Sequence, residues 1–79
     1  MRVIASPIQI GALLASRRKH LELSQAQVAA RVGISQNRLS VLEKNSSTLT
    51  AKQLLALLGA LGLQMSIAER PRTPDDVEW

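Results

Sequence analysis

Hydrophobic residues recur along most of the chain at the three- and four-residue spacing of amphipathic helices. The spacing predicts four helices, near residues 7–19, 25–32, 36–44 and 51–61. Their apolar stripes are Ile10, Leu13 and Leu14; Val28, Ala29 and Val32; Leu39 and Leu42; and Leu54, Leu55, Leu57, Leu58 and Leu61. The last stripe lasts barely three turns, so it indicates a helix facing a core rather than a coiled-coil seam.

Each predicted helix begins at a hydroxyl residue that can cap its free backbone N–H groups. Ser6, Ser24 and Thr50 are each followed three residues later by a glutamine, which is the pattern of a capping box. Pro7 fits the first helical position, and Ser35 is a simple cap. Side-chain chemistry and apolar spacing therefore predict the same four helix starts.

A different pattern follows Gly62, which can end the fourth helix in a left-handed conformation. Leu63, Met65 and Ile67 alternate with polar or small residues, at the period of a half-buried strand. A lone strand leaves its backbone groups unpaired. We therefore predict that it pairs with the same strand of a second copy in a homodimer.

Charge divides the chain into two parts. Residues 1–68 hold eight Lys or Arg and two acidic side chains, a net charge of +6, whereas residues 69–79 hold two basic and four acidic ones, a net charge of −2. At 79 residues, we expect one all-α domain at 1–68 and a flexible acidic tail at 69–79. The basic domain fits a polyanionic partner such as nucleic acid, although composition alone leaves a membrane surface possible.

Helices two and three are joined only by Gly33, Ile34 and Ser35, and glycine permits the sharp turn of a helix-turn-helix. The exposed face of helix three carries amide, guanidinium and hydroxyl groups that can read base edges in the major groove, on Gln36, Asn37, Arg38 and Ser40. Whether Arg38 contacts a base or a phosphate stays open. Ser24 and Gln25 begin helix two, where free N–H groups and a side-chain amide can bind a phosphate.

In order and spacing, these residues resemble the phage-repressor and Cro-like (XRE) family of helix-turn-helix domains. The resemblance covers about residues 8–62 and rests on Leu23-Ser24-Gln25, Val28-Ala29, Val32-Gly33-Ile34-Ser35-Gln36, Leu39 and Leu42-Glu43. It implies a lambda-repressor-like all-α bundle of four or five helices that binds double-stranded operator DNA.

The resemblance implies which residues of this chain take the family's base-reading and phosphate-binding roles. Base reading falls on Gln36 and Asn37, with Ser35, Arg38 and Ser40 as further positions, and phosphate binding falls on Ser24 and Gln25. Arg18 could contact a phosphate, but the resemblance implies instead that it forms a structural ion pair with Glu43.

A narrower resemblance, to HipB-type antitoxins, lies outside that domain. Ser6-Pro7, the strand at Leu63–Ala68 and an acidic tail ending in Glu78-Trp79 carry it. It implies an autorepressor that dimerises through the strand, binds a palindromic operator and holds a HipA-like Ser/Thr kinase toxin. In that family a tail ending in tryptophan contacts the toxin, which makes Val77, Glu78 and Trp79 the expected toxin-binding residues.

The composition of the tail fits such a partner. Trp79 is the only aromatic residue of the chain, and several acidic residues precede it in the sequence. Buried tryptophan is a common hot spot of protein interfaces. The alternative function is a stand-alone dimeric repressor, of phage or metabolic type, with no toxin partner.

No pattern indicates an enzyme. His20, Glu22 and Ser24 lie at a helix end and in a turn with nothing to form an oxyanion hole, and a single histidine cannot hold a metal without convergent carboxylates. Cysteine is absent, and the longest apolar stretch, Leu54–Leu63, is far short of the roughly 20 residues of a membrane span. The N-terminus also lacks the order of a signal peptide. We expect no catalytic residue, metal, cofactor or membrane contact, and a cytoplasmic, nucleoid-associated protein.

Overall fold

The computed structural model describes residues 3–70, and its secondary structure consists of four α-helices. They span Pro7–His20 (α1), Gln25–Val32 (α2), Gln36–Lys44 (α3) and Ala51–Ala60 (α4). The predicted all-α helix-turn-helix bundle is confirmed, with α1 one residue longer and α4 one residue shorter than expected. Residues 63–68 form no strand with any other part of residues 3–70, so pairing with a second copy stays a prediction.

Side chains cap the helices largely as the sequence predicts. The capping boxes at Ser24 and Thr50 are complete. At α1 the prediction is wrong in one bond. The Ser6 hydroxyl accepts a hydrogen bond from the Gln9 N–H (3.3 Å), but the Gln9 side chain accepts from the Ala5 N–H (2.6 Å) instead of the Ser6 N–H. The glutamine still satisfies a free backbone donor, one residue earlier.

The core consists of eight buried apolar residues, drawn from all four helices and the residue after α4: Leu14, Val28, Ala29, Leu39, Leu42, Leu57, Leu58 and Leu61. Helix α1 packs against α3, and α2 packs against both α3 and α4. Burial of each large side chain stabilises the fold by about 1.5–3 kcal/mol. Leu55, predicted in the α4 stripe, is instead 56% exposed, because the core-facing positions of α4 are Leu54, Leu57 and Leu58.

Helices α1 and α3 approach closely where Gly11 meets the end of α3. A Cβ added to Gly11 would lie 2.5 Å from the carbonyl oxygen of Leu42 and 2.7 Å from that of Glu43. Just beyond α3, the buried Ser46 donates to the Pro7 carbonyl from its hydroxyl (2.6 Å) and from its N–H (3.2 Å). These contacts set the position of α3 relative to α1.

Two glycines in helices allow a matched test of this packing. Gly11→Ala places a methyl group against backbone carbonyls that cannot rotate away, so we expect a loss of about 1–3 kcal/mol in the free energy of unfolding. Gly59 in α4 has open space around its Cβ position. Gly59→Ala should therefore stabilise the protein by about 0.5–1 kcal/mol, through helix propensity alone.

Urea unfolding followed by circular dichroism measures both changes. A Gly11→Ala protein as stable as the wild type would contradict the close approach of α1 and α3.

Candidate nucleic-acid interface

Helices α2 and α3 form the predicted helix-turn-helix. Gly33 ends α2 with a positive φ of 75°, and the Ile34 N–H then donates to the Ala29 carbonyl (3.0 Å). The Ser35 hydroxyl caps α3 by accepting from the Arg38 N–H (3.0 Å). The turn is therefore closed by its own backbone and cap, and it joins α2 to α3, which pack against each other.

One face of α3 points away from the core, and we call it the reading face. It is defined by the side chains of Gln36, Asn37, Ser40, Val41 and Lys44, of which Ser40 is half-buried and the others are exposed. Within residues 3–70, the side chains of Gln36 and Asn37 make no hydrogen bond. Their amide donors and acceptors are therefore available, and such amides can pair bidentately with adenine in the major groove.

The start of α2 presents the residues predicted to bind phosphate. Ser24 uses its hydroxyl to accept from the Gln27 N–H (3.0 Å), and its own N–H donates to the Gln27 side chain (2.8 Å). Gln25 is half-buried, and its amide nitrogen donates to Glu43 Oε1 (3.0 Å). Gln25 is thus held in place by α3, next to the positive end of the α2 dipole.

Glu43 also pairs with Arg18, as the family resemblance implies. Arg18 Nε donates to Glu43 Oε2 (2.6 Å) and Nη2 donates to Oε1 (3.0 Å), a bidentate pair with side chains only 11% and 7% exposed. Arg18 Nη1 donates to the Leu23 carbonyl (2.9 Å), in the turn before α2. One arginine therefore joins α1, the turn before α2, and α3.

The hydrogen bond with Glu43 raises the pKa of Arg18 above its ordinary value, although burial acts in the opposite direction. Because the folded-state pKa of Arg18 lies above the unfolded one, Arg18 is charged in both states at neutral pH, and its contribution to the free energy of unfolding is fully present there. It is lost only as the pH rises through the folded value. The ion pair is thus insensitive to pH across the neutral range.

The structure gives Arg38 partners within the protein. Its guanidinium donates to the Thr48 hydroxyl (2.8 Å), the Thr48 carbonyl (2.7 Å) and the Gln53 side chain (3.1 Å). Gln53 belongs to the capping box of α4, so Arg38 joins the first turn of α3 to the first turn of α4. Its predicted contact with DNA stays a prediction. The sequence offers no signal for these bonds, because they depend on the path of the turn between α3 and α4.

The residues predicted for dimerisation lie just after α4. Leu63 packs partly against the core, while Met65 is 50% and Ile67 is 90% exposed. Arg17 Nε donates to the Leu61 carbonyl (2.9 Å) and so anchors the point where the chain leaves α4. The predicted toxin-binding residues Val77, Glu78 and Trp79 lie outside the described residues.

Across residues 3–70, no cluster of three or more His, Cys, Asp or Glu side chains is arranged to hold a metal ion. In the same residues, no helix has the length and apolarity needed to cross a membrane. Lys44, on the reading face at the end of α3, and Lys52, at the start of α4, are exposed cationic side chains.

Known proteins provide a family match and structural relatives. The family model HTH_3, described as Helix-turn-helix, matches residues 14–67. The chain is similar to one in a HipA-HipB-O2-O3 complex, with a TM-score of 0.82 and 25% identity over 90% of this chain and 100% of that chain. It is equally similar to one in a HipB-O4 20mer complex, with a TM-score of 0.81 and 25% identity over the same shares.

A more distant relative shares the fold. It is the Restriction-Modification Controller Protein C.Esp1396I, with a TM-score of 0.69 and 21% identity over 73% of this chain and 75% of that chain. No curated protein sequence matches the chain.

The ion pair makes a prediction about stability. Arg18→Met or Glu43→Leu alone leaves one charge buried without its partner, so each should lower the free energy of unfolding by about 3–5 kcal/mol. The double variant buries no unpaired charge, and it should lose much less than the sum of the two single losses. Chemical denaturation of the four proteins measures the coupling. Additive losses would mean that Arg18 and Glu43 contribute independently.

Proposed function

The chain belongs to the HTH_3 helix-turn-helix family of DNA-binding domains, and from that premise we propose that it is a dimeric operator-binding repressor and antitoxin. In this proposal it represses its own operon at the nucleoid, in the cytoplasm, and it also binds a HipA-like Ser/Thr kinase toxin. Residues 1–68 read DNA and dimerise, and residues 69–79 bind the toxin. Both activities are binding, and neither needs a cofactor.

The observation that carries the DNA proposal is the free reading face of α3. Gln36 and Asn37 are exposed and unengaged within the described part of the chain, so their amides are available to pair with base edges. Ser35 and Ser40 flank them and supply hydroxyl groups. We also assign Arg38 to this interface. Its bonds to Thr48 fix the turn that follows α3.

Phosphate binding is proposed for the start of α2. An α-helix leaves its first N–H groups without intrahelical partners, and the amide of Gln25 at this end of α2 is fixed by its bond to Glu43. A contact there would set the register of α3 on the duplex without reading sequence. Ser24 and Gln25 therefore position the protein, and the reading face selects the site.

Dimerisation is proposed through the segment after α4. Met65 and Ile67 are large apolar side chains at 50% and 90% exposure, separated by one residue, so they can share one face of an extended segment. Pairing of this segment with its copy would cover both side chains and satisfy the backbone groups of an edge strand. Leu63 joins this segment to the core of each subunit.

The antitoxin proposal is supported by the structural relatives. HipB occurs with HipA in one of the complexes that this chain resembles over 90% of its length. The acidic tail that ends in Trp79 is a further point of resemblance to HipB-type antitoxins, and it rests on the sequence. We propose that Val77, Glu78 and Trp79 contact the toxin, with the indole ring as the anchor.

Replacement of Gln36 and Asn37 by alanine tests the reading face. Each good base contact is worth about 1–3 kcal/mol, so the double variant should lose roughly a hundredfold or more in preference for its selected DNA over random DNA. Electrophoretic mobility shifts at fixed salt measure both affinities. The matched control is Ser16→Ala, at an exposed position of α1 away from this face. Unchanged preference in the double variant would overturn the assignment of α3.

Co-expression with the neighbouring gene product tests the antitoxin role. We expect a complex that survives size-exclusion chromatography, and its loss both on truncation after Pro74 and in Trp79→Ala. Thr73→Ala, a small change in the same tail, should keep the complex, and all variants should keep DNA binding. No complex with any neighbour would contradict the antitoxin role and leave a stand-alone repressor.

A further inference from the structure

Val41 is an apolar residue of α3 that the core does not use. The buried positions of this helix are Leu39 and Leu42, whereas Val41 is 56% exposed. A β-branched residue also loses side-chain freedom in a helix, so helix propensity does not favour valine there. Neither packing nor local structure in the described chain accounts for this side chain.

The position of Val41 on α3 relates it to the predicted base readers. It lies four residues after Asn37, and side chains at that spacing are neighbours on one helix face, about 5–6 Å apart at Cβ. Lys44, three residues further on, is exposed as well. Val41 thus lies on the reading face, next to an amide and a cationic side chain.

The major groove presents one apolar group to such a side chain, the C5-methyl of thymine. We propose that Val41 is a specificity-determining residue that contacts the C5-methyl of one thymine in each half-site, adjacent to the base pair read by Asn37. The proposal rests on the proposed DNA-binding function and adds a base preference to it. The contact buries methyl groups of both partners, and it discriminates thymine from cytosine without a hydrogen bond.

The experiment removes the methyl group from either side. The probe is the duplex that the wild-type protein selects from a random library, with each thymine replaced in turn by deoxyuridine, which lacks only the C5-methyl. Binding is measured at fixed salt for the wild type, Val41→Ala and Leu55→Ala. Leu55 is the matched control, because it is also 56% exposed but lies on α4.

We expect one thymine per half-site at which deoxyuridine weakens wild-type binding by about four- to tenfold, the size expected for a buried methyl group. The same replacement should change binding of Val41→Ala by less than twofold, while Leu55→Ala behaves as the wild type. At every other thymine, the three proteins should respond alike.

Two results would overturn the proposal. If no thymine shows a methyl dependence that Val41→Ala removes, Val41 does not read the methyl group, although the protein still selects its sequence. If the wild type selects no sequence at all, the proposed DNA-binding function fails, and the inference fails with it.

Discussion

A largely buried bidentate ion pair between Arg18 and Glu43 connects α1, the turn before α2, and α3. Arg18 reaches from α1 to the Leu23 carbonyl before α2, and Glu43 reaches from α3 to the amide of Gln25 at the start of α2. Desolvation makes such a pair costly unless every donor and acceptor is engaged, and here the charges have several partners each. The angle between α2 and α3 is therefore set by charge-assisted hydrogen bonds as well as by the leucine core.

Each end of α3 is held by its own contacts. Arg38 in the first turn donates to Thr48 and to Gln53 at the start of α4. At the last turn, Gly11 and Ser46 bring α3 against α1. A helix secured at both ends presents its outer face in one orientation. This rigidity favours direct readout of bases, because little ordering of α3 is then needed on binding.

Much of this arrangement is predictable from local sequence patterns. The helix starts can be predicted from capping residues, which act within four residues. The exposure of Gln36 and Asn37 can be predicted from the helix period. Longer-range features are not predictable in this way. The Arg38 bonds to Thr48 depend on the path of a turn. Glu22 has a positive φ of 58°, which the sequence does not predict because the residue is not a glycine. Leu55 and Val41 are exposed because the core is complete without them.

We propose that two copies of this chain read DNA together through α3. A hydroxyl-radical footprint of the protein on its selected duplex tests it most directly. We expect two protected half-sites related by two-fold symmetry, with centres about 34 Å or one helical turn apart. A single protected half-site, or uniform protection without sequence preference, would contradict it.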